Sequence, residues 1–441
     1  MSSENQPRQK TRQQIAFKES SKRKKPRSLL NRCRLFAMKH TWTTPLVLLL
    51  TMLLLYAFNP TKSNIMHHLL FRSYKLPPKA SAHPSLPVQY GKGPWDFAFV
   101  FFYTVVLSFT RELIMQEILR PLALHYGIKS HNKQARFMEQ MYTALYFLLL
   151  GLAGIYVMSR TPVWYFDTRG MYESFPHKTH DANFKFYYLF QAAYWVQQAL
   201  VLLLGMEKPR KDFKELVGHH IVTISLIGLS YKFHFTYMGI AIFLAHDISD
   251  FFLATSKSLN YLDSSLQGPH FGICISAWIY MRHYLCLRII LSLFDEFKTV
   301  GPYELDWEAE QFKSPLSNAI AFSLLSALQA LNLFWLFCLL RSAYRLVVYR
   351  IAKDDRSEVE ESELEELSRE KVGSVNMSRK KDKASEMLSS TKGSGLVNRG
   401  ASGFVNVTGN ETIVTGPTRR RGARQKSQGF GQQSALLLGI F

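Results

Sequence analysis

Three imidazoles and two carboxylates lie within two neighbouring apolar stretches of this 441-residue chain. They are His219, His220, His246, Asp247 and Asp250. Insertion of one Asp near the middle of a membrane span costs about 2.5–3.5 kcal/mol, so such groups need partners, water or a ligand. Near neutral pH an imidazole beside a carboxylate can take a proton from a nucleophile, or can itself attack an activated acyl group. The two routes are equally open on the sequence.

Helical spacing brings these groups together. His219 and Thr223 are four residues apart, as are His246 and Asp250, so each pair shares a helix face. Asp247 lies beside Asp250 on the second helix. The two helices run antiparallel across a very short turn, and a rise of about 1.5 Å per residue places both sets at one depth. We therefore expect one His/Asp cluster, with an Asp that accepts a ring N–H and orients the imidazole.

The elements that must position this cluster are long apolar blocks. The composition is 47% hydrophobic with a formal charge of +21, and the mean hydropathy is near zero because the charges gather at both ends. A membrane-spanning helix needs roughly 20 mostly apolar residues. Backbone groups in lipid must be satisfied within the span, so the pattern predicts an all-α polytopic bundle. The eight expected spans are 43–59, 96–114, 139–158, 185–205, 216–234, 236–254, 272–294 and 319–340.

The charge pattern predicts four regions. Residues 1–42 form a basic, disordered cytosolic tail, and 43–95 hold the first span and a lumenal interfacial segment. Residues 96–350 form the catalytic membrane domain, and 351–441 form an acidic and then basic tail too polar to bury a core. The positive-inside rule and an even number of spans place both termini in the cytosol.

Other classes of function are disfavoured. The basic arm could bind nucleic acid, but no recognisable reading module accompanies it, so no nucleic-acid partner is predicted. The four cysteines have no metal spacing and do not indicate a disulfide framework. No Gly-rich nucleotide loop, nucleophile elbow or HExxH zinc motif is present.

The chain closely resembles the ceramide synthase (longevity-assurance) family of membrane proteins with a TLC domain. The resemblance covers about 95–370. The residues that carry it are His219-His220-x-x-Thr223, Ser230-Tyr231, Gly239, His246-Asp247-x-x-Asp250, Lys257-x-x-Asn260-Tyr261, Tyr280-x-Arg282-His283 and Leu331-Asn332-Leu333-Phe334-Trp335. The stretch Phe233-His234-Phe235-Thr236 resembles the fungal branch.

This resemblance implies N-acylation of a sphingoid base by fatty acyl-CoA in the endoplasmic reticulum membrane. It implies a helical barrel around an acyl-chain tunnel, with the paired His, the two Asp and His246 as catalytic residues. It also implies a dimer and a small single-span subunit. We expect no metal or cofactor, because the thioester supplies the activated acyl group.

Substrate-binding residues are expected around this set, namely Arg282, Thr223, Tyr231 and His283. An Arg in the seventh span could pair with Asp247 or Asp250, or meet a phosphate of CoA. It could equally form an internal ion pair that only permits burial.

Two alternative functions would require different sequence features. A non-enzymatic TLC protein that binds lipid would not need the complete His-His and His-Asp-x-x-Asp set. A di-iron hydroxylase or desaturase would need several HxxHH or HxxxH boxes, which this chain does not contain.

Overall fold

The structure is a computed structural model that describes residues 40–77, 87–207 and 212–349. The described part of the chain is mostly helical, as the apolar blocks predict. Expectations for the N-terminal tail up to residue 39, the loop 208–211 and the tail 351–441 lie outside the described residues.

Twelve α-helices and one short hairpin are present in the described residues. The helices are α1 Thr43–Phe58, α2 Ile65–Leu70, α3 Trp95–Leu113, α4 Arg120–His125, α5 His131–Met158, α6 Ala182–Leu203, α7 Phe213–Lys232, α8 Thr236–Tyr261, α9 Gln267–Trp278, α10 Cys286–Ser292, α11 Glu296–Thr299 and α12 Pro315–Tyr349. The strands β1 (Gln89–Tyr90) and β2 (His180–Asp181) pair antiparallel. π-helical turns at Ile114–Leu119 and Ile279–Leu285 join α3 to α4 and α9 to α10, and Arg169–Met171 forms a 3₁₀ turn.

A helix stands at each of the eight predicted span positions. Among the described residues, five continuous helical stretches are long and apolar enough to cross a membrane, and the chain is a multi-pass membrane protein. They are Trp95–His125, His131–Met158, Thr236–Tyr261, Gln267–Thr299 and Pro315–Val348. Helix α1 is apolar but has only 16 residues. Helices α6 and α7 are long enough but less apolar than these five, because they carry more polar side chains. The total of eight membrane crossings therefore stays a prediction.

Helix α8 lies in the centre of the bundle and packs against α5, α9 and α7. Its buried face joins the tyrosines of α6 and the apolar side chains of α10 in one core. Helices α1 and α12 instead leave large apolar side chains exposed, such as Leu54 and Phe337. An outward apolar face is what lipid requires, since lipid tails rather than water cover it.

The start of α7 and the turn into α8 fix the depth of the histidines. Asp212, which precedes α7, accepts a hydrogen bond of 3.1 Å from the indole N–H of Trp335 on α12. At the other end, His234 adopts a left-handed φ of 67° between α7 and α8. His is enriched at such positions among residues other than Gly. The turn is therefore tight, and α7 and α8 contact one another.

Candidate active site

Helix α7 presents His219 and His220 at a buried level of the bundle. The ring of His219 meets Trp195 of α6 and Trp335 of α12 edge-on, with centroids 5.4 and 5.3 Å away. His220 donates from Nδ1 to the Leu216 carbonyl at 2.8 Å, which fixes its tautomer. The two rings stand perpendicular to one another, so the adjacent histidines face different neighbours.

His219 keeps unused hydrogen-bonding capacity. Its Nε2 lies 3.4 Å from the hydroxyl of Thr223, as the four-residue spacing predicts. Its Nδ1 is buried and has no hydrogen-bond partner among the described residues. The expected bond from His219 to an Asp is thus not present. Buried polar atoms without a partner are rare and are an informative feature of reactive sites.

His246 is fully engaged by its neighbours. Its Nδ1 donates to the Ile242 carbonyl at 2.8 Å, and its Nε2 accepts from Asn332 of α12 at 3.3 Å. Both ring nitrogens are therefore used by the protein itself. A catalytic role for His246 therefore stays a prediction from the sequence.

Asp250 forms a close ion pair with Arg282, whose Nη2 lies 2.6 Å from Oδ1. Arg282 also donates to Ser249 at 2.6 Å and to Asn332 at 3.1 Å, and its guanidinium stacks over Trp278. It lies in the π-helical turn Ile279–Leu285, a feature that often accompanies functional sites. Of the two roles expected for Arg282, this geometry matches the ion pair rather than a contact with phosphate.

Asp247 is completely buried and turns towards α6. Its Oδ2 accepts from the Tyr187 hydroxyl at 3.2 Å and from the Gln191 amide. Its Oδ1 has no hydrogen-bond partner among the described residues. Asp250 thus pairs with the seventh-span Arg that the sequence offered as a partner. Asp247 instead faces α6, whose donors the α7/α8 spacing cannot reveal.

A long apolar cavity begins at His219 and His246 and runs along α7, α8 and α12. On α7 its lining extends from His219 to Phe233, a rise of about 21 Å. One leaflet of a bilayer contributes about 15 Å of hydrocarbon, so this length suits a long alkyl chain. Its far end is lined by Leu305, Trp307 and Phe312 from the loop before α12.

Three of the four expected substrate-binding residues do not line this cavity, namely Arg282, Tyr231 and His283. Tyr231 donates its hydroxyl to Asp96 at 2.8 Å, about 18 Å along α7 from His219. His283 meets the Gln329 side chain at 2.6 Å through Nδ1, and its Nε2 has no partner in the described part of the chain. Thr223 does line the cavity. The structure thus groups Thr223 with the histidines and separates Tyr231 from them.

Comparison with known proteins agrees with this geometry. Residues 136–341 match the TLC domain family. The sphingosine N-acyltransferase-like protein FUM17 of Gibberella moniliformis is 54% identical over 74% of this chain and 85% of its own length. Sphingosine N-acyltransferase lac1 of Schizosaccharomyces pombe is 45% identical over 78% and 88%, and ceramide synthase LAG1 of Saccharomyces cerevisiae 44% over 76% and 80%. The chain belongs to the ceramide synthase family. The predicted family and acyltransferase activity are thereby confirmed.

Sequence reasoning gave no site role to several residues of this ceramide synthase family member, although Asn332 and Trp335 are among those that carry the family resemblance. Tyr187 and Gln191 lie four residues apart on α6 and hold Asp247, and Asn332 joins His246 to Arg282. Polar side chains inside an apolar span are functional candidates by default, and that signal was present at all three positions. Trp195, whose ring meets His219 edge-on, gave no comparable signal, because its residue type and spacing do not distinguish it from a residue that only packs.

The site of this family member also bears on the rival di-iron chemistry. Within residues 40–77, 87–207 and 212–349, no group of three or more His, Cys, Asp or Glu could hold a metal ion. The histidines are instead bonded to backbone carbonyls, Asn332 and Thr223.

Proposed function

We propose that the protein transfers a fatty acyl group from acyl-CoA to the amine of a sphingoid base, sphinganine or phytosphinganine, and so forms ceramide. One observation carries this proposal. His219 opens onto a long apolar cavity while one of its ring nitrogens has no partner among the described residues. An acyl chain in the cavity would bring its thioester carbonyl to this imidazole.

In one route an imidazole acts as a base. A protonated amine cannot attack, so it first releases one proton to solvent. His219 or His220 then takes a second proton from the attacking nitrogen as the C–N bond forms. The tetrahedral intermediate then collapses, the C–S bond breaks, and the CoA thiolate leaves and takes up a proton. Positioning of the two reactants supplies a large part of the rate enhancement.

In the other route an imidazole is the nucleophile. A ring nitrogen attacks the thioester carbonyl, the C–S bond breaks, and CoA leaves with a proton. The amine then attacks the acyl-imidazole, the C–N bond to histidine breaks, and the ring nitrogen is restored. Both routes pass through positive charge on the imidazole, which Asp247 and Asp250 offset from α8.

The remaining site residues hold this geometry. Arg282 balances Asp250, so the pair tolerates burial, and His246 and Thr223 shape the cavity entrance beside His219. His283 lies on the same π-helical turn and bonds Gln329 of α12, so it supports the site from outside the cavity lining. No metal or prosthetic group takes part, since the thioester already supplies an activated acyl group.

Substitution tests the assignment directly. Purified protein incubated with acyl-CoA and sphinganine should yield ceramide by mass spectrometry. His219→Ala and His220→Ala should each reduce the rate by about 10²–10⁴-fold, the usual contribution of a general base. The exposed His125 of α4 provides a control, and His125→Ala should retain the full rate. Full activity of both variants at His219 and His220 would refute the assignment.

A mass measurement distinguishes the two routes. Purified protein incubated with acyl-CoA alone, without sphingoid base, should gain the mass of one acyl group if imidazole is the nucleophile. That adduct should be absent in the variant that lacks the attacking ring. A protein that releases CoA only when the base is present follows the direct route instead.

The cavity end suggests what limits chain length. Leu305, Trp307 and Phe312 of the loop before α12 line the end that lies farthest from His219. We expect the segment 295–316 to stop the acyl chain. Exchange of this segment with that of a relative should change the chain length of the ceramide product, and an unchanged profile would contradict the idea.

The setting of the enzyme follows from the same family. The protein resides in the endoplasmic reticulum membrane with both termini in the cytosol, so acyl-CoA reaches the histidine end of the cavity. It acts as a homo- or heterodimer together with a small single-span subunit. Protease protection of terminal tags in microsomes and crosslinking of the membrane-bound protein test these two statements.

A further inference from the structure

We propose that Tyr188, Ser230 and Gly239 form a collar in the cavity wall that decides whether long acyl chains are accepted. The collar lies between the histidines and the loop that closes the far end. This inference rests on the proposed function, because it assigns a selective step to the cavity that the acyl chain would occupy.

The collar joins three helices at one place. Tyr188 of α6, Ser230 of α7 and Gly239 of α8 all line the cavity. The hydroxyls of Tyr188 and Ser230 share a hydrogen bond of 2.5 Å, so α6 and α7 are linked there. Helix α12 completes the lining with apolar side chains such as Ala321 and Leu325.

Gly239 leaves no spare room for a side chain. A Cβ at this position would lie 2.3 Å from the Tyr188 hydroxyl oxygen and 3.0 Å from two of its ring carbons. Separations under 3.0 Å force a shift, so even Ala at this position must displace the phenol of Tyr188. Gly239 lies within α8, where the helical backbone does not require Gly, and this close approach is a sufficient reason for its presence.

Tyr188 cannot move back into the bundle. Its ring stacks on Tyr231 and meets Phe243 edge-on, with centroids 5.6 and 5.1 Å away. It also stacks on Phe184 at 6.1 Å. Tyr231 is held in turn by its bond to Asp96. Interiors this closely packed resist added volume, so a displaced phenol moves into the cavity, which is the open space beside it.

The depth of the collar makes it selective for chain length. Gly239 is seven residues from His246, or about 10 Å along α8. Ser230 is eleven residues from His219, or about 16 Å along α7. A short acyl chain bound at the histidines ends before or at this level, whereas a long chain must pass it. Narrowing here therefore penalises long chains and leaves short chains unaffected.

A competition assay tests the collar. Purified full-length protein receives sphinganine and an equimolar mixture of octanoyl-, octadecanoyl- and tetracosanoyl-CoA, and the ceramides are quantified by mass spectrometry. Gly239→Ala should lower the ratio of the two long products to the octanoyl product by about tenfold, equivalent to ~1.4 kcal/mol. The rate of octanoyl transfer should stay close to that of the original protein.

Two further variants show that the effect acts through the tyrosine. Tyr188→Phe removes the atom nearest to the added methyl group, so Gly239→Ala combined with Tyr188→Phe should regain most of the lost ratio. Gly228 provides a matched control one helix away, because it is exposed and a Cβ there meets nothing within 4 Å. Gly228→Ala should leave the product ratio unchanged.

Each alternative outcome contradicts the collar. An unchanged ratio in folded Gly239→Ala protein, or an equal loss at all three chain lengths, would overturn it. Failure of Tyr188→Phe to restore the ratio would do the same. If Gly239→Ala does not fold, Ser230→Leu adds volume at the same level and must shift the ratio in the same direction. Absence of ceramide from every acyl-CoA in the unmodified protein would overturn the proposed function, which is a distinguishable result.

Discussion

Helix α7 carries a charged or polar cluster at each end, and the two clusters differ in what is left unpaired. The histidine cluster consists of His219, His220, His246, Asp247 and Asp250. The lysine cluster, at the opposite end of α7, consists of Lys92, Asp96, Lys185, Tyr231 and His234. Both are largely buried, and both hold groups that are costly to bring into a membrane protein.

The lysine cluster is held by an internal ion pair, and although Asp96 Oδ1 has no hydrogen-bond partner among the described residues, it lies against the ammonium of Lys185. The ammonium of Lys185 lies 2.7 Å from Asp96 Oδ1 and donates to the carbonyls of Ser73 and Gly91. Asp96 also accepts from Tyr231 and from the Gly93 N–H. None of these side chains belongs to the lining of the long cavity in the described structure. The cluster joins the segment before α3, helix α6 and the end of α7.

The histidine cluster retains unpaired atoms beside a cavity. His219 Nδ1 and Asp247 Oδ1 have no hydrogen-bond partner in the described residues, and His219 lines the cavity. Burial and charge are therefore common to a structural cluster and a reactive one. Unused hydrogen-bonding capacity next to an accessible space is what separates them.

The largest effect is expected from the lysine cluster. Lys185→Met leaves Asp96 buried without its countercharge, and breaking a buried pair in this way costs about 3–5 kcal/mol of stability. Thermal unfolding of the detergent-solubilised protein should show the loss. The double variant with Asp96→Asn should recover part of it. If Lys185→Met unfolds at the same temperature as the unmodified protein, the lysine cluster does not have the structural role that distinguishes it from the histidine cluster.

The histidine cluster should respond in activity rather than stability. Asp247→Asn keeps the shape of the side chain but removes the charge that offsets a positive imidazole. We expect the rate of ceramide formation to fall about 10²-fold, ~2.7 kcal/mol in the barrier, with little change in unfolding. Rate and thermal midpoint should be measured on one preparation. A large fall in stability with normal activity would assign Asp247 a purely structural role.

Tyr231 provides a smaller effect that sharpens the comparison. Tyr231→Phe removes one hydrogen bond to a charged acceptor, which typically contributes about 1.5–3 kcal/mol. Stability should fall by that amount, while KM for acyl-CoA and sphinganine stays the same, because the hydroxyl is committed to Asp96. A raised KM with unchanged stability would instead support the substrate-binding role that the sequence suggested.

The smallest expected effect is the pH response of the lysine end. Burial lowers the pKa of His177 to about 4 and that of His234 to about 3, and Lys92 adds to the shift at His234. Burial likewise lowers the pKa of Lys92 to about 7. Such groups bind fewer protons when folded, so stability falls as pH decreases below about 6.5 for the histidines.

Hydrogen exchange measures this response. Exchange in the segments 172–181 and 233–236, corrected for its intrinsic pH dependence, should accelerate between about pH 7 and about pH 5. His234→Asn should weaken the acceleration. Slower exchange of these segments at the lower pH would mean that the folded state favours the charged histidines. That result would contradict the lowered pKa values of His177 and His234.

Most of the fold could be predicted from sequence. Apolar blocks of roughly 20 residues specify helices wherever lipid removes other partners for the backbone, so a helix stands at each expected position. The two π-helical turns could not be predicted, because they depend on packing within a continuous apolar pattern. The hairpin of β1 and β2 was equally hidden, since two residues per strand leave no periodicity.

The candidate site was only partly predictable. The four-residue spacing placed Thr223 beside His219, and the antiparallel helices placed the Asp residues near the same level. Spacing within one helix does not say which other helix faces each side chain. For this reason Arg282 was left between two roles, and the partners of Asp247 on α6 were missed.

The sequence by itself determined the helices, the family and the set of groups able to carry out acyl transfer, because all of these depend on local pattern and residue type. Only the tertiary structure decided which of those groups remain unpaired. Three helices distant in the chain supply Tyr187, Arg282 and Asn332, and contacts at that separation leave no periodic signal. The apolar cavity likewise could be found only in the tertiary structure, since its wall exists only where α6, α7, α8 and α12 meet.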